Sequence, residues 1–344
     1  MNHLILTPIL LTLAVTSTSS LPRKLIIDTD GGADDAMAII AGLNLPSDTK
    51  LMAITTSCGN VNATQAAINV LKVLRVLGRT EVPVHRGCQS YYMTSEDISS
   101  TWFGEDGLGD FEFDNPPTEN DISSEHGVMT LLRLVKEYPG EISLVCLGPV
   151  TNIALAIKMD PSFLKNLHQI IVMGGSIKGM GNITPGTEFN FRRDPEAAKL
   201  LFEHSSKEHP VYLLPYETSQ ESKIDKHWRT SVFGELNSSL VSFINKAEHI
   251  ALARTPRYWT APDQLAMLVL IRAEFVRKID HAMVYVCAEG TMSRGVTLVD
   301  RSSKSGNTRI VKKVDVDLFK KFLIEAFQSN RIDTLDNVDC SPCS

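Results

Sequence analysis

The sequence predicts an α/β fold: one open, mainly parallel sheet flanked by helices, in a single domain. From residue 25 onward, short apolar, β-rich runs alternate with longer segments of helical periodicity, the pattern expected when helices cover both faces of parallel strands. No internal repeat, low-complexity linker or shift in composition divides the chain. A length of 344 residues would also accommodate two domains, but the uninterrupted rhythm favours one over residues 21–330.

The elements follow in order. Residues 25–30 read as a strand, 34–43 as a helix, 52–57 as a strand and 62–77 as a helix with apolar positions at Ile68, Leu71, Leu74, Val76 and Leu77. Residues 142–147, 169–173 and 211–214 read as further buried strands, followed by helices beginning near Thr151, Pro195 and Ser219. Between residues 88 and 125 periodicity disappears in a stretch rich in Gly, Asp, Ser and Pro, and loops of this length are more often functional than idle. The last third contains a helix over 237–254, the apolar run PDQLAMLVLI, β-like runs at 284–287 and 296–299, and a final helix over 315–328.

Residues 1–20 pair an apolar stretch at 4–15 with small hydroxylated residues, as in a secretory signal peptide, and the stretch is too short for the roughly 20 apolar residues that span a bilayer. Secretion to the extracellular space is expected, with 331–344 as a C-terminal tail. No later segment is long and apolar enough for stable membrane insertion. Thirty-four basic against forty acidic residues give a net charge of -6, which offers no footprint for a nucleic-acid polymer and suits a neutral or small substrate. Of the cysteines at 58, 88, 146, 287, 340 and 343, the last two form a CxxC with no second pair or nearby His. That spacing favours a local or tail-to-body disulfide over zinc. Asn62 and Asn237 head glycosylation sequons; a third, at Asn182, falls where a buried site is expected.

The densest chemical signal is Asp28-Thr-Asp30-Gly-Gly-Ala-Asp34-Asp35, at the junction of a strand and a helix. Strand alternation sends Asp28 and Asp30 to one side, the glycines allow a tight turn, and Asp34 and Asp35 return from the helix start. Crowded carboxylates require a compensating cation, and an all-oxygen set suits calcium or magnesium. An EF-hand loop starting at Asp28 would need Glu where Ile39 stands, and an aspartyl-phosphatase motif would need Thr or Val where Gly32 stands.

This motif resembles the DxDxGxDD signature of the calcium-dependent nucleoside hydrolases, which cleave ribonucleosides to base and ribose. Cys58-Gly59-Asn60, Leu147-Gly-Pro-Val-Thr-Asn152, Met173-Gly-Gly175, and Asn182 through Glu188-Phe189-Asn190 to Asp194-Pro-Glu-Ala-Ala198 resemble further family segments in the same order, over about residues 24–328. The resemblance implies that Asp30, Asp35, Asp263 and the Thr151 carbonyl hold Ca2+, with Asp28 supporting them from behind. It implies Asp30 as general base for a calcium-held water oriented by Asn60. Asp34, Asn182, Glu188 and Asn190 would grip the ribose of a small-molecule nucleoside, and Met173 and Phe189 would pack along it. It also implies a homodimer or homotetramer.

The chain departs from the family pattern at Pro262, where many members place a His that protonates the departing base, and at Phe103, where a second His is common. A purine-preferring branch stacks aromatics on the base instead, and Trp102, Phe103, Tyr258 and Trp259 are candidates for that work. Purine nucleosides are therefore the expected substrates. The loss of the acid leaves open a secreted nucleoside-binding protein with weak catalysis. A magnesium phosphohydrolase is a third reading, which lacks a Gly-rich phosphate loop.

Overall fold

The computed structural model describes residues 23–45, 49–93 and 100–328. The signal peptide expected at 1–20, the tail at 331–344 and the pair Cys340 and Cys343 lie outside the described residues. Among the described residues Cys58, Cys88, Cys146 and Cys287 are free thiols, and no helix is long and apolar enough to cross a membrane.

The chain begins with β1 (Arg23–Thr29), α1 (Ala33–Asn44), β2 (Thr49–Thr56), α2 (Ala63–Val76) and β3 (Val84–Arg86). After the long loop come α3 (Gly127–Glu137), β4 (Ile142–Cys146), α4 (Thr151–Met159), β5 (Gln169–Met173), α5 (Phe189–Arg193), α6 (Pro195–His204), β6 (Val211–Leu214) and α7 (Tyr216–Glu221). The remainder comprises β7 (Ile224–Asp225), α8 (Ser239–Arg254), β8 (Tyr258–Trp259), α9 (Pro262–Ile271), β9 (Val276–Val286), β10 (Thr297–Asp300), β11 (Thr308–Val314) and α10 (Val316–Gln328). A nine-stranded sheet runs β10-β9-β11-β6-β5-β4-β1-β2-β3, and β7 pairs separately with β8. From β3 to β11 every pairing is parallel; β9 and β10 are antiparallel additions at one edge.

The central strands are apolar without interruption because both faces are covered. Leu25 and Ile27 of β1 enter one core layer with α1, α2, α8, α9 and α10, whereas Ile26 enters the other with α3, α4 and α6. Helix α9 is almost wholly buried, as its uniformly apolar sequence requires.

Several elements differ from expectation. The strand expected at 284–287 begins at Val276, and its first half, paired with β11 but not with β10, leaves Arg277, Lys278 and Ile279 exposed in succession, which breaks the apolar run. The helix expected near Ser219 starts at Tyr216 and ends at Glu221. Helix α3 and strands β3 and β11 were not anticipated: β3 is three residues long, and β11 carries Lys312 and Lys313 beside its buried Ile310 and Val311.

Candidate active site

Open α/β sheets bind ligands beyond the carboxyl ends of their strands, where the strand order reverses. That reversal lies between β1 and β4: β2 and β3 extend the sheet on one side, β5 and β6 on the other. The acidic segment lies at the end of β1. Gly31 makes the turn with φ +73, and α1 starts with Asp35 accepting the Gly32 N–H at 2.9 Å and the Thr29 hydroxyl.

Asp30 is held by one neighbour at both oxygens. Its Oδ2 accepts the Asn60 backbone N–H at 2.7 Å and its Oδ1 accepts Asn60 Nδ2 at 3.2 Å. Gly59 permits this approach, since a Cβ there would lie 2.0 Å from Asp30 Oδ2. Asp28 sits beneath, accepting from Thr55 Oγ1 at 2.5 Å and Asn152 Nδ2 at 2.7 Å, so it joins β1 to β2 and α4. Burial pushes its carboxyl up to about 7.

Helix α9 packs along α1 and brings its first turn to that of α1. One oxygen each from Asp34, Asp35 and Asp263 therefore lie within 4.8 Å of one another, with Asp30 bonded to Asp35. Burial raises the proton affinity of all four, and neighbouring negative charge adds to it for Asp30, Asp34 and Asp263. A cavity of about 340 Å³ opens over this cluster, and no Lys, Arg or His is among its lining residues. Four clustered carboxylates exceed the charge of the buried Arg193, the guanidinium whose field reaches Asp30, and such hard oxygen donors fit a divalent metal ion such as calcium.

The cavity is also lined by Asn60, Met173, Asn182, Glu188, Phe189 and Asn190. Glu188 caps α5, accepting from the backbone N–H groups of Gly175 at 2.7 Å, Asn190 at 2.8 Å and Phe191 at 3.2 Å. Burial nevertheless pushes it up to about 7. Asn190 donates to the Leu147 carbonyl at 2.8 Å. Asn182, expected in a buried setting, is exposed at the mouth of the cavity. Asn62 and Asn237 are exposed as well, and Asn62 caps α2.

Thr151 does not reach the cavity. It opens α4, and its hydroxyl donates to Asp194 at 2.6 Å. The residue of that segment which lines the cavity is Leu147, directly after β4. A four-residue offset separates the two because the turn between β4 and α4 intervenes. Trp102, Phe103 and Trp259 line the cavity, Trp102 at its mouth with 47% exposure. Tyr258 is not among the lining residues; its neighbours include Lys223 and Arg257.

Sequence reasoning missed Glu248, a buried lining residue that pairs with Arg229 and accepts from Trp259 Nε1. Its signal was an acid at helical spacing among Ile244, Ala247 and Ala251, the buried face of α8.

A sequence profile of the inosine-uridine preferring nucleoside hydrolase family matches residues 25–321. The pyrimidine-specific ribonucleoside hydrolase RihA of Enterobacter sp. is 30% identical over 309 residues, covering 88% of this chain and 96% of that protein. The probable uridine nucleosidase 2 of Arabidopsis thaliana is 43% identical over 182 residues, 52% of this chain and 56% of that protein. The match thus spans little more than half of that plant relative. The solved structure of an inosine-guanosine nucleoside hydrolase superposes with a TM-score of 0.83 at 30% identity, covering 89% of this chain and 98% of that one. Sheet order, the carboxylate cluster at the end of β1 and a profile match over most of the chain agree: this chain belongs to the inosine-uridine preferring nucleoside hydrolase family.

Proposed function

We propose that the protein hydrolyses the N-glycosidic bond of ribonucleosides, with a preference for purine nucleosides, to free base and ribose. The observation that carries this reading is the juxtaposition of Asp30, held by Asn60, with the cluster of Asp34, Asp35 and Asp263 at the floor of one cavity. Asp35 and Asp263, with Asp30 or Asp34 beside them and the Leu147 carbonyl close by, would hold calcium. When bound, such a cation supplies charge that offsets the carboxylates and acidifies a neighbouring water.

Asp30 is fixed with both oxygens oriented and accepts the proton of the attacking water. Asn60 orients both Asp30 and that water. Asn182, Glu188 and Asn190 bind sugar hydroxyls and set the anomeric carbon against the water. The same carboxylates and amide oxygens stabilise the oxocarbenium-like charge that develops on the ribose. The aromatic wall of Trp102, Phe103 and Trp259 supports the purine preference, because a bicyclic base offers the larger face for stacking. The leader at residues 1–20 supports action outside the cell, and mass spectrometry of the mature protein tests it: an N-terminus at Leu21 agrees, an intact leader does not.

Ribose release from inosine, guanosine, adenosine, uridine and cytidine, in calcium and after chelation, tests the main reading. Calcium-dependent release, faster from purine nucleosides, is expected; faster release from uridine and cytidine would reverse the base preference.

A further inference from the structure

Glu248 has a role that the hydrolytic machinery leaves unassigned. It is 3% exposed and lines the cavity. Its Oε2 accepts Arg229 Nε at 2.8 Å and lies 2.7 Å from Arg229 Nη2. Its Oε1 accepts the indole Nε1–H of Trp259 at 3.0 Å. Arg229 is itself fully buried, and a second interaction holds it, from Nη1 to Asn245 Oδ1 at 2.8 Å.

A carboxylate offers about four acceptor positions, two on each oxygen. Arg229 Nε takes one on Oε2, with Nη2 in ion-pair contact with the same oxygen, and Trp259 takes one on Oε1. One position on Oε1 is left, beside the indole ring and on a residue that lines the cavity. Ala251 and Leu252, one turn further along α8, and Thr255 just after the helix line the cavity with it. The segment carrying Trp102 and Phe103 is tied to this helix by Arg254, which donates to the Thr101 carbonyl. Glu248 thus lies where the aromatic wall meets the acidic floor, near enough for its charge to act on Asp34.

We propose that Glu248 is a specificity-determining residue that accepts an N–H from the edge of the base remote from the glycosidic bond. This rests on the nucleosidase reading and adds which bases the site favours. Hypoxanthine and guanine offer such an N–H from the ring and adenine offers one from its amino group, whereas the base of purine riboside offers none. A site built to accept an N–H strongly rejects an analogue that lacks it, because the buried acceptor is then left unpaired.

The test compares kcat/KM for inosine, 1-methylinosine, adenosine and purine riboside in the wild type and in Glu248→Gln. Arg229 needs an acceptor, so the glutamine turns its carbonyl to the guanidinium and presents its NH2 both to the indole N–H of Trp259 and to the base; purine riboside meets the same Trp259 and is the reference. The variant is expected to lose at least about 10-fold more on the N–H-bearing substrate than on purine riboside. Wild-type discrimination between inosine and 1-methylinosine identifies the ring N–H as the donor; discrimination that depends on Glu248 but favours adenosine identifies the amino group. An equal loss on every substrate, or none, would overturn the proposal and leave Glu248 as a support for Trp259. Calorimetry of 9-methylhypoxanthine, 9-methyladenine and 9-methylpurine with the wild-type protein needs neither turnover nor a variant, and the methyl group removes the imidazole N–H that the free bases share. Binding of 9-methylhypoxanthine or 9-methyladenine at least about 10-fold tighter than 9-methylpurine is expected, and equal binding would overturn the proposal. Selective base binding without ribose release from any nucleoside would count against the nucleosidase reading alone.

Discussion

Asp30 meets the geometric demands on a general base through one neighbour: Asn60 gives it a backbone N–H and a side-chain N–H, at 2.7 and 3.2 Å. Asp30→Asn preserves the shape and removes the proton acceptor, so ribose release should fall about 10²–10⁴-fold, with nucleoside binding retained in calorimetry. Trp102→Ala should lower kcat/KM for purine nucleosides about 10-fold, the scale of one aromatic–base stack, with a smaller effect on uridine; equal losses on both would count against stacking. At this scale the aspartates were legible because four carboxylates within eight residues have few structural explanations. Leu147 was not, because an apolar residue directly after a buried strand reads as core whether or not it borders a cavity. Glu248 was hidden as a single acid in an ordinary amphipathic helix, and only its place on the buried face of α8 marks it.

The elements are fastened together by buried capping groups. Asp194 caps α6 through Ala197 N at 3.0 Å and also accepts Thr151 Oγ1 of α4 at 2.6 Å and Tyr92 N at 2.7 Å. Asp194→Ala leaves two buried donors and the half-buried Tyr92 N–H without an acceptor and should cost about 2–4 kcal/mol, read as a lower urea midpoint at unchanged slope. A loss of a few tenths would mean that the cap is dispensable. The same scale explains which elements the sequence revealed. Buried β4, β5 and β6 read as continuous apolar runs, but the first half of β9 lies beside β11 without β10 on its other side and exposes three residues in succession. Its polar half, Arg277 to His281, therefore carried no strand signal.

The whole molecule concentrates negative charge at the carboxyl edge of its sheet, with consequences for stability. Asp28 and Glu188, ordinarily at 3.8 and 4.5, are both pushed up to about 7 by burial. Their raised values mean that the folded chain holds protons which the unfolded chain has released between about pH 4 and 7. Stability of the chelated protein therefore falls as pH rises through that window, and these groups favour folding fully only below the unfolded values. Calcium binds ionised carboxylates, so saturating calcium should raise the Tm most at the upper end, near pH 7. Scanning calorimetry from pH 5 to 8 with and without chelator checks this, and a Tm indifferent to chelation at pH 7 would contradict it.

This carboxylate pocket is expected to turn nucleosides over and to do more than bind them. The most direct measurement is the yield of free hypoxanthine and ribose from inosine, in the calcium-loaded wild-type protein and in Asp30→Asn. Equimolar base and ribose over many turnovers, lost in the variant, is the predicted result. Saturable inosine binding with no release of either product from the wild type would contradict it.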